Sequence, residues 1–144
     1  MLQNVLCKFP YLQLWTNMNR HNNKTILFVD DVKSIRTLVK FFLSQYGYTV
    51  LTAATGDEAL ALYRTKKSEI ELIILDLIMP GISGKKCFAE LLNINPKAKV
   101  VIATGDTEAL ASHLFRTSNI RAIFQKPFEI DELAETVRRV IEDN

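Results

Sequence analysis

Apolar residues fall along this chain in two alternating patterns, short unbroken runs and longer stretches with helical spacing. Thr25 to Val29 (TILFV), Leu72 to Leu75 (LIIL) and Lys99 to Ala103 (KVVIA) are runs of the first kind. A strand that is apolar at nearly every position is buried on both faces, the habit of a parallel sheet covered by helices. Tyr48 to Ala54 and Arg121 to Phe124 read as two further strands. Between them, Ile35, Leu38, Val39, Phe42, Leu43 and Tyr46 recur at i, i+3, i+4, i+7, i+8 and i+11, which predicts an amphipathic helix with one core face, ended by Gly47. Thr55-Gly56-Asp57-Glu58 has the form of a capping box ahead of a second helix with Leu60 and Tyr63. Phe88, Leu91 and Leu92 mark a third, closed by Asn95-Pro96, and Leu110, Leu114 and Phe115 a fourth. The last carries Ile130, Leu133, Val137, Val140 and Ile141 on one face, with Glu129, Asp131 and Glu132 early and Arg138 and Arg139 late, the order a helix macrodipole favours. Five alternations of strand and helix predict an α/β domain with a doubly wound parallel sheet.

Residues 1–23 do not follow this rhythm. Leu6, Phe9, Leu12, Leu14 and Trp15 surround Pro10 with neither helical nor strand spacing, and no small-residue cleavage site marks a signal peptide. Three readings stand: a short helix packed on the domain, an interaction arm, or a misassigned beginning, since Met18 also reads as a natural start. The expected division is therefore an N-terminal extension, 1–23, and one domain, 24–144.

The net charge of +2 comes from Lys8 and Arg20 in that extension; the remaining 16 basic and 16 acidic residues cancel. The paired bases Lys66-Lys67, Lys85-Lys86 and Arg138-Arg139 sit on three different helices and form no continuous stripe, so direct nucleic-acid binding is not expected. No apolar run approaches the roughly 18 residues of a membrane span. Cys7 and Cys87 have neither metal nor disulfide-framework spacing, and Cys87 reads as a small core residue. A soluble protein of the reducing cytoplasm is the expectation.

In a parallel sheet with right-handed crossovers, residues just after each strand converge on one edge. Here these are Asp30, Asp31, Asp76, Thr104 and Lys126. Asp76 ends the most apolar strand, and Met79-Pro80-Gly81 delays the next helix, so the carboxylate is placed for chemistry; capping of the turn is the plain alternative. Three carboxylates in one cleft repel one another unless a cation lies between them, and hard oxygen ligands select Mg2+ or a similar ion. With the Lys126 ammonium and the Thr104 hydroxyl, the set fits phosphoryl transfer to an aspartate.

On these residues the chain from about Lys24 to Asp143 resembles a receiver domain of two-component response regulators, of the single-domain chemotaxis-regulator type. The acidic pair Asp30-Asp31, Asp76 within D-L-I-M-P-G-I-S-G, Thr104-Gly105 and Lys126-Pro127-Phe128 carry the resemblance, in the family's order. It implies a flavodoxin-like (βα)5 fold with strand order 2-1-3-4-5. It also implies phosphorylation of Asp76 by a histidine kinase or histidine phosphotransfer protein. Mg2+ would be held by Asp30, Asp31, Asp76 and the backbone carbonyl of Ile78. Thr104 would turn toward the phosphoryl group, Lys126 would pair with it, and the Lys126-Pro127 bond would be cis. Two positions depart from the family. Ile123 stands where an aromatic switch partner of Thr104 is usual, Phe124 beside it facing the other way, and apolar Ile78 stands where a polar side chain often positions the attacking water.

The expected role is a signalling module rather than an enzyme, with at most its own phosphorylation and dephosphorylation to catalyse. With nothing after Asn144, its signal would leave by binding a downstream protein, through a face that the resemblance places on the fourth helix, fifth strand and fifth helix; a homodimer through that face is a further reading. A receiver excised from a hybrid histidine kinase and a phosphate sink are the alternatives. A haloacid-dehalogenase-like phosphatase needs an acid at the Ile78 position, and a flavodoxin-like flavin binder needs a phosphate cradle where Asp30-Asp31 stand. His21 and His113 have no neighbouring ligands in sequence and read as structural or surface residues.

Overall fold

The computed structural model describes residues 23–105 and 117–143. In chain order these form β1 (Thr25–Val29), α1 (Lys33–Gln45), β2 (Thr49–Ala53), α2 (Gly56–Lys66), β3 (Ile70–Leu75), α3 (Gly84–Ile94), β4 (Val100–Thr104), β5 (Ile120–Gln125) and α4 (Ile130–Glu142). The five strands make one parallel sheet in the order β2-β1-β3-β4-β5, as expected. The helix expected at Leu110, Leu114 and Phe115, together with His113, His21 and most of the N-terminal extension, lies outside the described residues.

The unbroken apolar runs have the cause the pattern predicts. Leu27, Val29, Ile73, Leu75, Val100 and Ile102 point to one face, where Leu60, Tyr63, Phe88 and Leu91 of α2 and α3 cover them. Ile26, Phe28, Leu72, Ile74, Val101 and Ala103 point to the other, under Val39 and Leu43 of α1 and Leu133, Val137, Val140 and Ile141 of α4. Successive strand residues thus enter two separate cores. Cys87 is wholly buried in the first, and that burial, with the Asp57 charge, pushes its thiol up to about 11, which makes it inert packing.

The first helix differs from its expected face. Val39 and Leu43, with Ile35 and Tyr46 partly, meet the sheet, whereas Leu38 is 50% exposed. Leu38 lies about 100° around the helix from Val39, and the i, i+4, i+8 stripe of Ile35, Val39 and Leu43 already fills the contact. Gly47 takes φ 89°, the left-handed conformation that closes a helix, and donates its N–H to Ser44 O at 3.0 Å. The capping box forms with a variation: Thr55 Oγ1 accepts from the Glu58 N–H, but Glu58 Oε2 accepts from Ala54, one residue before the cap.

Candidate functional site

The carboxyl ends of β1 and β3 lie side by side, because the Asp76 N–H continues the sheet by donating to Val29 O at 3.0 Å. Asp30 and Asp76 therefore leave adjacent strands at the same level. Both are buried, at 1% and 4% exposure, while Asp31 is exposed. One carboxylate oxygen from each of the three lies within 4.8 Å of the others.

Two buried carboxylates this close need partners, and each is held the same way. Asp30 Oδ1 accepts from the Val32 N–H at 2.9 Å, and Asp76 Oδ1 from the Ile78 N–H at 3.0 Å, two Asx turns that set the rotation of each carboxylate. The second oxygens share one cation: Lys126 Nζ donates to Asp30 Oδ2 and, at 3.0 Å, to Asp76 Oδ2. Lys126 reaches them from the end of β5, where its N–H donates to the carbonyl of buried Thr104 at 2.8 Å. The Lys126-Pro127 bond is cis, and Phe128 turns back to pack its ring 5.9 Å from that of Phe124.

Burial raises the Asp76 pKa above the ordinary carboxylate value, with the nearby Asp30 charge adding to it, against the hydrogen bonds from Ile78 and Lys126. For Lys126, burial acts to lower the pKa, but the hydrogen bonds to Asp30 and Asp76 outweigh it and leave it raised. The two directions are compatible because a single ammonium is divided between two acids. With Asp31 added, three carboxylates stand against the one ammonium bonded to them, an excess of acid that a divalent cation would offset. The donor set is all hard oxygen, the chemistry that selects Mg2+ or a similar hard divalent ion, so the residues fit such an ion.

Asp30, Asp31, Asp76 and Lys126 thus meet as the sequence predicts, with buried Thr104 tied to Lys126 through the backbone. Ile78 is 56% exposed beside the Asp76 turn, and Ile123 is 43% exposed on β5. Phe124, one residue on, packs into the opposite core. The loop that carries Ile78 is fixed by Gly84, where a Cβ would stand 2.3 Å from Leu77 Cα, so only glycine lets α3 start there.

Apolar spacing does not single out Arg36. Its Nη1 donates to the Asp30 carbonyl at 2.8 Å. A signal was present: α1 opens with Lys33 and Arg36 and no acid in its first turn, against the macrodipole, which calls for anions nearby.

Comparison with known proteins agrees with this fold. Residues 26–138 match the response regulator receiver domain. The chain is 30% identical over 119 residues to sporulation initiation phosphotransferase F of Bacillus subtilis, covering 83% of this chain and 94% of that protein. It is 32% identical over 119 residues to the sensor kinase CckA of Brucella abortus, covering 82% of this chain but only 12% of the kinase. Among solved structures, the response regulator protein TrrA of Thermotoga maritima in complex with Mg2+-BeF aligns with a TM-score of 0.73 and 34% identity, over 81% of this chain and 98% of that one. Among the described residues no helix is long and apolar enough to cross a membrane. By sequence, topology and the acidic cluster at its sheet edge, the chain belongs to the response regulator receiver domains, the phospho-accepting modules of two-component signalling.

Proposed function

We propose that Asp76 is the phosphoryl acceptor and that the cleft works with Mg2+ held by Asp30, Asp31, Asp76 and the backbone carbonyl of Ile78. The observation that carries this reading is the cluster of three carboxylates at the sheet edge, of which Lys126 pairs with two. Mg2+, when bound, supplies the positive charge that lets an anionic phosphoryl group approach an anionic nucleophile.

The Ile78 N–H holds one Asp76 oxygen and keeps the carboxylate turned into the cleft. An Asp76 oxygen attacks phosphorus, the bond from phosphorus to the donor's imidazole nitrogen breaks, and the electron pair leaves with the imidazole. Lys126 already touches Asp76, so a small displacement carries its ammonium from the carboxylate to the transferred group. The Thr104 hydroxyl, at the end of β4, donates to the same group. The donor is a phosphorylated histidine of a kinase or phosphotransfer protein, and the output is binding of a downstream protein. No turnover beyond the domain's own phosphorylation and dephosphorylation is assigned. A second reading, a receiver segment of a larger hybrid kinase, is favoured by the match to one part of a sensor kinase.

Intact mass after incubation with acetyl phosphate, with and without Mg2+, for the wild type and Asp76→Asn, tests this. A single phosphoryl adduct that needs both Mg2+ and Asp76 is expected. An adduct retained in Asp76→Asn, or none from either acetyl phosphate or a phosphorylated histidine protein, overturns it.

A further inference from the structure

We infer that Arg36 is a positioning residue for the cation site: its hydrogen bond to the Asp30 carbonyl locks the peptide that joins Asp30 to Asp31. The inference rests on the functional reading above.

The Asp30 N–H donates to Ala53 O at 3.1 Å, so the residue enters the site as an extension of β1. There the sheet stops. The pairing of β1 with β2 ends at Val29 and Ala53, and the next amide of β2, that of Ala54, is turned to Glu58 Oε2 at 2.7 Å. The Asp30 carbonyl is left beyond the ladder, and Arg36 Nη1 meets it at 2.8 Å. Arg36 is itself placed by the first turn of α1, its N–H donating to Val32 O at 3.1 Å. The same Val32 donates its N–H to Asp30 Oδ1. One turn of chain therefore holds both ends of Asp30, the carboxylate by Val32 and the carbonyl by Arg36.

The consequence falls on Asp31. Asp30 is pinned at its N–H, both carboxylate oxygens and its carbonyl. Asp31 is exposed, and its position in the three-acid cluster depends on the plane of the peptide that precedes it. Rotation of that plane would carry Asp31 away from Asp30 and Asp76. The guanidinium holds the plane through the Asp30 carbonyl rather than through a carboxylate, as partners behind the ligands of metal sites do.

Loss of such a partner weakens metal binding by about 10–100-fold. Because Arg36 acts through one peptide plane, the expected loss is at the lower end of that range. MgCl2 titrated by calorimetry into the full chain is the test, for wild type, Arg36→Met and Arg36→Lys, each checked for folding by circular dichroism in EDTA. Arg36→Met should bind Mg2+ about tenfold more weakly, yet be phosphorylated by acetyl phosphate at near wild-type rate once Mg2+ saturates, because Asp76 and Lys126 are untouched. Arg36→Lys, which keeps a cationic donor, should fall between Arg36→Met and wild type. Arg36→Met binding Mg2+ within twofold of wild type overturns the inference while leaving the acceptor site standing, as does a Mg2+ affinity lowered equally in both variants. A wild type that binds no Mg2+ overturns the functional reading and this inference with it.

Discussion

Lys126→Met removes the ammonium shared by Asp30 and Asp76 and keeps most of the stem. Lys126 is 20% exposed at its side chain and the two carboxylates 1% and 6%, so the variant leaves two buried acids without their cation. Breaking a buried ion pair by deleting one partner is destabilising by about 3–5 kcal/mol; the one-fifth exposure of the lysine argues for about 3. At about 2–4 °C per kcal/mol for a domain near this size, the melting midpoint in EDTA should fall by about 6–12 °C. Mg2+ should reverse much of this. In the wild type the ion must approach past an ammonium already on Asp30 and Asp76; in the variant it need not. If that raises affinity about tenfold, saturating Mg2+ gives the variant about 1.4 kcal/mol more than it gives the wild type. The Mg2+-induced rise in midpoint would then be larger by about 3–6 °C. The assay is thermal unfolding by circular dichroism with EDTA and with MgCl2. A variant that melts with the wild type in EDTA, or gains no more from Mg2+, refutes the reasoning that Lys126 stands in for the cation.

Asp76→Asn should melt higher than wild type in EDTA at pH 7.5, because burial disfavours the ionised carboxylate. The folded pKa of Asp76 lies above its unfolded value, so its relative benefit is full below about pH 4 and is lost as pH rises through the raised value; the advantage of Asn should vanish in acid. A pH series of melts checks the sign, and equal midpoints at pH 7.5 would count against it. Ile78→Asn, at a position 56% exposed, should leave stability within about 0.5 kcal/mol and speed loss of the phosphoryl group, read as decay of the adduct by mass; equal or slower loss contradicts this. Gly84→Ala places a Cβ 2.3 Å from Leu77 Cα and should lower stability by at least about 1–3 kcal/mol in urea unfolding, with an unchanged midpoint showing that the loop after Asp76 yields freely.

Much of the fold was legible because the strands carry their own signal. A run such as Leu72 to Leu75 has no polar face to offer solvent, so helices must cover both sides, and the positions after such strands must share one edge. The convergence of Asp30, Asp31, Asp76 and Lys126 follows from that topology alone. What spacing could not supply was the angular width of each contact. Leu38 fits the helical period as well as Val39, and only the packing of α1 on the sheet decides that one is buried and the other half exposed. Nor does spacing reveal bonds to backbone atoms. The Asx turns at Val32 and Ile78, and Arg36 on the Asp30 carbonyl, depend on where ladders stop. The macrodipole conflict at the start of α1 was the one trace of Arg36 left in the sequence.

The central claim is that the carboxylate at the end of β3 takes the phosphoryl group. Its most direct test is to phosphorylate the chain with acetyl phosphate and Mg2+, reduce the acyl phosphate with borohydride, and locate the resulting homoserine by tandem mass spectrometry of peptides. Homoserine at position 76 alone is the predicted result. Homoserine at 30 or 31, or a stable adduct that borohydride leaves unchanged, would contradict the assignment.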